Sequence, residues 1–106
     1  MGQYDAKRKN GRIPLILAVA GSDKTLLKEK KDRLLVRSDM NHAMLLAKLK
    51  THFKLNKNQT LVVLYKTSGG GLMAPVPTST IGELDSVNRS PDGALYAVCS
   101  VENVFG

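Results

Sequence analysis

The chain has 106 residues, 42% of them apolar, which suits one compact domain with a core of its own and leaves no room for a second. Its longest apolar run, residues 13–20, is interrupted by Pro14 and falls far short of the ~20 residues that a membrane-spanning helix needs. Cys99 is the only cysteine, so an internal disulfide is excluded and a cysteine-built zinc site is disfavoured. No charged-then-apolar leader opens the sequence, and a cytoplasmic protein is expected.

Net charge is +7, and it is unevenly placed. Residues 1–57 hold fourteen Lys/Arg against five Asp/Glu, whereas residues 58–106 hold two against four. The basic half is suited to acidic partners: an acidic peptide, an anionic membrane surface or nucleic acid.

Residues 1–11 are polar, carry Lys7-Arg8-Lys9 and show no apolar period, so a basic flexible arm is expected there. Residues 13–20 are apolar and partly β-branched, closed by Gly21-Ser22-Asp23, and predict a strand buried on much of both faces. Residues 24–32 form a charged connector, and residues 33–37 read as a second strand antiparallel to the first. Ser38 or Asp39 can cap a following helix, in which Leu45, Leu46, Leu49 and Phe53 recur at helical spacing between Lys48, Lys50 and Lys54.

Residues 60–65 are rich in β-branched and aromatic side chains and predict a third strand, ended by a flexible turn at Ser68-Gly69-Gly70-Gly71. No Gly-Lys-Ser/Thr follows those glycines, which excludes a phosphate loop. Pro75 and Pro77 keep the next stretch irregular, and Thr80-Ile81-Gly82-Glu83 has the capping-box spacing of a short helix. Pro91-Asp92-Gly93 is a turn, residues 94–100 read as the last strand, and residues 101–106 as a tail. The domain proper therefore spans residues 12–100. This order predicts an α+β fold of the β-grasp type, a mixed sheet of four to five strands with one long helix packed on it. Its core is expected from Ile13, Leu15, Leu17, Leu45, Leu49, Phe53, Leu61, Val63, Leu95 and Ala97, with Cys99 a buried thiol.

An enzyme would need an acid/base pair, a triad or a nucleophile elbow, and the sequence has none. His42 and His52 are ten apart, not at the i, i+4 spacing of two metal ligands on one helical face, so they read as ordinary surface or partly buried histidines. No cofactor is expected. A basic nucleic-acid-binding module is a further alternative, but the aromatics do not interleave with the basic runs as a base-stacking platform would, and no specific nucleic acid is expected.

Five stretches fall together in one order: Arg12-Ile13-Pro14-Leu15-Ile16, Leu35-Val36-Arg37-Ser38-Asp39-Met40, Pro77-Thr78-Ser79-Thr80-Ile81-Gly82-Glu83-Leu84, Asp92-Gly93-Ala94-Leu95-Tyr96 and Ser100-Val101-Glu102-Asn103-Val104-Phe105-Gly106. Together they resemble the autophagy modifiers of the GABARAP family, ubiquitin-like proteins coupled to phosphatidylethanolamine. The resemblance runs from about Arg12 to Gly106, with gaps around residues 68–75. It implies a ubiquitin-like β-grasp whose Gly106 carboxyl is adenylated, carried as a thioester by cysteines of the activating and conjugating enzymes, and joined to the lipid amine. Phe105 and Asn103 would be the tail residues those enzymes read, and a processing and deconjugating cysteine protease is a further implied partner. The protein would be cytoplasmic, and on the autophagosome membrane when lipidated. The family carries two helices before the grasp, whereas eleven residues precede Arg12 here, which points to a shortened N-terminus. The alternative is the sister autophagy modifier joined to a protein lysine, which ends in Trp-Gly where this sequence has Phe105-Gly106.

The resemblance also implies a groove that binds acidic aromatic-x-x-aliphatic peptides of cargo receptors by strand addition. Arg12 and Arg33 match the basic residues that meet the acidic flank. Ile16 and Leu35 match the first apolar pocket, and Leu34, Val36, Met40 and Leu45 the second. The pockets depart from the family pattern: Ala94 stands in place of a large aromatic, Leu34 in place of a tyrosine, and Arg37 and Lys48 in place of a proline and a leucine.

Overall fold

The computed structural model of the chain describes residues 11–19 and 31–103. The expected N-terminal arm up to residue 10, and the connector up to residue 30, lie outside the described residues. The described chain runs β1 (Arg12–Val19), β2 (Lys31–Arg37), α1 (His42–His52), β3 (Gln59–Lys66), β4 (Leu72–Met73), α2 (Ile81–Asn88) and β5 (Leu95–Asn103). The five strands form one sheet in the order β2-β1-β5-β3-β4. β1 lies parallel to β5, and every other neighbouring pair is antiparallel. That is the mixed sheet of a ubiquitin-like β-grasp, with helices carrying the chain between its parts.

β1 sits between β2 and β5, and residues 13–17 are buried on both of its faces, as an unbroken apolar run predicts. Its Ile13, Leu15 and Leu17 point into the main core with Val36 of β2, Leu45 and Leu49 of α1, Leu61, Val63 and Tyr65 of β3, and Leu95, Ala97 and Cys99 of β5. Ile81 and Leu84 of α2 close the same core. Each fully buried aliphatic side chain contributes about 1.5–3 kcal/mol relative to exposure.

Four expectations need correction. Phe53 is only half-buried, packed against the core rather than inside it. It is the C-cap of α1, donating its N–H to Leu49, and Lys54 follows at φ 56°, so the helix ends before another turn can carry the ring inward. The helix cap is Asn41, whose side chain accepts from the Met44 N–H at 2.8 Å, rather than Ser38 or Asp39. Those two are committed elsewhere: Ser38 bonds Gly11 and Gly82 through its backbone, and the Asp39 carboxylate holds Arg37. Val101 to Asn103, expected as tail, continue β5 and pair with Leu61, Thr60 and Gln59. His42, expected at the surface or partly buried, is buried, its ring set against Tyr65.

Thr80 caps the short helix as its spacing predicts, with Thr80 Oγ1 accepting from the Glu83 N–H at 3.1 Å. The segment from Ser38 to Ala43 is stitched to the start of α2 by four backbone bonds: Gly82 N to Ser38 O, Ile81 N to Met40 O, His42 N to Ser79 O and Ala43 N to Pro77 O. Gly82 permits this approach, because a Cβ there would lie 3.0 Å from the Ser38 carbonyl oxygen. The junction from β2 into α1 is thereby fixed in place.

Candidate functional site

Among the described residues β2 is an edge strand of the sheet, paired with β1. Strand alternation sends Leu34 and Val36 toward α1 and leaves Arg33, Leu35 and Arg37 on the opposite face. α1 presents Leu45 and Leu49 to the same core, one helical turn apart. Between the edge strand and the helix lies a groove of about 790 Å³.

Its floor is Val36, Met40, Leu45 and Leu49, all buried and apolar. Leu34, half-buried, and Leu35, 48% exposed, flank it from β2. Arg12, Arg37, Ala47, Lys48, Thr51 and His52 complete the lining. Among the described residues no acidic side chain lines the groove. Arg37 is the cation already answered: its Nε and Nη2 donate to the two oxygens of Asp39 at 3.1 and 2.9 Å. Among the described residues, the side chains of Arg12 and Lys48 have no ion-pair or hydrogen-bond partner. An arrangement of apolar floor, open strand edge and cationic rim has the chemistry to hold an extended segment that carries apolar anchors and negative charge.

The structure therefore brings Arg12, Leu34, Leu35, Val36, Met40, Leu45 and Lys48 to one groove. Ile16 and Arg33 are not part of it. Arg33 is exposed at the middle of β2 and pairs in register with Ile16 of β1. Ile16 was expected to line a first pocket beside Leu35, but it is 2% exposed and packs with Ala94 and Tyr96. Tyr96 is the register partner of Ile16 in the β1–β5 pair, and Asp92 accepts from the Ala94 N–H and from the Tyr96 hydroxyl, which holds both residues beside Ile16. Phe105 and Gly106 lie outside the described residues, and Asn103 is the last residue of β5.

Ala47, Leu49, Thr51 and His52 were not picked out from the sequence as groove residues. The signal was present in the helical repeat, since Lys48, Leu49 and His52 follow Leu45 at spacings of three, four and seven. What the repeat could not supply was the bounding strand.

Fold and groove can be set beside known proteins. The family model described as "Autophagy protein Atg8 ubiquitin like" matches residues 3–106. The chain belongs to the Atg8 family. Among solved structures, it resembles the crystal structure of Trypanosoma brucei ATG8 with a TM-score of 0.68 and 27% sequence identity, covering 94% of this chain and 81% of that one. Atg8-family membership makes the chain a ubiquitin-like protein of autophagy, a modifier rather than an enzyme.

Proposed function

We propose that the chain is a modifier of the GABARAP type, joined through Gly106 to phosphatidylethanolamine and recruiting acidic aromatic-x-x-aliphatic peptides of cargo receptors along β2. The observation that carries this is the Atg8 match over residues 3–106, which includes the Phe105-Gly106 dipeptide, together with the cationic groove beside an edge strand. Glycine suits the acceptor role because its carbonyl has no side chain to block attack in a narrow channel. The thiols that carry it as a thioester belong to the activating and conjugating enzymes, consistent with Cys99 being fully buried in the core. The modifier is cytoplasmic before conjugation and on the autophagosome membrane after it. Phe105 and Asn103 are read by the enzymes, and a cysteine protease processes and releases the tail.

Reconstitution with the cognate activating and conjugating enzymes, ATP and liposomes containing phosphatidylethanolamine tests the reading. A lipidated band is expected, and Gly106→Ala abolishes it. Transfer to a protein lysine under the same conditions would place the chain with the sister modifier, and failure to form any thioester would end the modifier reading. For the groove, Arg33→Glu is expected to remove binding of an acid-flanked aromatic-x-x-aliphatic peptide, with Arg33 serving the acidic flank from the exposed face of β2.

A further inference from the structure

We propose that Lys48 makes the groove selective for peptides with a carboxylate two residues from their aliphatic anchor, on the same side of the extended chain. The inference rests on the groove reading above and adds the ligand chemistry that this particular groove favours.

The floor of the groove accepts an apolar anchor, since Met40, Leu45 and Leu49 are buried aliphatic side chains. Lys48 follows Leu45 by three positions and precedes Leu49 by one, so on a helix of 3.6 residues per turn its Cβ is rotated by about 60° from that of Leu45. It is exposed, lines the groove, and has no partner among the described residues. An anchor pressed onto this floor strips water from the ammonium and returns no bond, unless the lysine swings outward. A carboxylate at the same place offsets that loss.

The other cations are less suited to the task. Arg37 is already held by Asp39, and Arg12 stands on β1, opposite Arg37 in the β1–β2 register, rather than on the helix. Among the described residues, Lys48 is the groove cation that stands on the helix beside the anchor floor with its side chain unpaired.

The position of the carboxylate follows from strand geometry. A ligand added to the edge of β2 is extended, and successive side chains point to opposite faces. The residues next to the anchor therefore point away from α1, while those two positions away point toward it, roughly 6.6 Å along the chain.

The test is titration calorimetry on the full chain with a set of aromatic-x-x-aliphatic peptides. One has neutral flanks, two carry glutamate two positions before or after the anchor, and two carry it one position before or after. At least one peptide with the two-residue spacing is expected to bind about fivefold tighter than the neutral peptide, a gain that matches a partly exposed ion pair. Glutamate at the one-residue spacing gives no gain. In Lys48→Leu the neutral peptide binds tighter than to the wild type and the glutamate gain disappears. In Lys48→Glu a peptide with lysine at the favoured position recovers it. A glutamate gain that survives in Lys48→Leu, or is equal at the one-residue spacing, overturns the inference while leaving the groove reading standing. No binding of any peptide to any variant overturns both.

Discussion

At the scale of single residues, the buried contact between His42 and Tyr65 sets how the fold responds to acid. His42 Nδ1 lies 3.1 Å from the Tyr65 hydroxyl, and the two rings meet edge to face at 67°. Burial lowers the His42 pKa from its ordinary value of 6.5 and raises that of Tyr65, so both are neutral at pH 7. His42 is also the first residue of α1, where the positive end of the helix dipole opposes an imidazolium. Because the folded histidine resists a proton that the unfolded chain accepts, stability is complete above pH 6.5 and falls as pH drops from there toward the lowered folded value. Urea unfolding between pH 7.5 and 5.5 is expected to show this loss, and His42→Gln to flatten it. An unchanged slope in the variant would assign the acid response to other groups. Tyr65→Phe removes the hydroxyl that meets His42 Nδ1 and is expected to cost about 1–2 kcal/mol in the same assay.

At the scale of elements, the groove depends on α2 although α2 does not line it. The start of α2 holds the turn between β2 and α1 through backbone bonds, and Gly82 packs directly against Ser38. In an open helix, glycine to alanine would gain about 1 kcal/mol of propensity. Here the new methyl carbon would stand 3.0 Å from the Ser38 carbonyl oxygen and 3.3 Å from the Ser38 Cβ, and backbone gives way only with the turn it belongs to. Gly82→Ala is therefore expected to destabilise the fold by about 1–3 kcal/mol by overpacking. It should weaken peptide binding as well, since Arg37 and Met40 flank the displaced turn. Thermal unfolding with calorimetric titration checks both, and a gain in melting temperature would show that the junction yields.

At the scale of the whole molecule, two forces divide the work. The core is apolar and continuous through β1, β3, β5 and both helices, so the fold rests on burial, which salt does not screen. The groove relies on cations at its rim, in a chain whose net charge of +7 lies in its first half. Raising salt from about 0.1 to about 1 M shortens the screening length from roughly 10 Å to roughly 3 Å. The affinity for an acidic peptide is expected to fall severalfold over that range without a drop in melting temperature. Salt-independent binding would mean that the apolar floor alone carries recognition.

Sequence by itself was sufficient for most of the elements and for the autophagy ubiquitin-like family. An apolar run, β-branched composition and helical spacing located four strands and the long helix, and capping-box spacing located the short one. The short β4 left no such pattern, since two residues are too few to alternate. Local chemistry was equally legible where donor and acceptor lie within a few residues, as at Thr80 and Glu83. It failed where distant segments fixed the backbone: Ser38 is a good cap by residue type, but its N–H and C=O bond Gly11 and Gly82 in the turn before the helix, and the cap is Asn41. The groove shows the same division. Leu34, Val36, Met40, Leu45 and Lys48 could be named in advance, yet only the tertiary structure decided that Ile16 is sealed beneath Ala94 and Tyr96. Only the tertiary structure, too, showed Arg37 answered by Asp39 while Lys48 has no partner among the described residues. Periodicity reports which face of an element is buried; which side chain of another element meets it is set by packing across the whole fold.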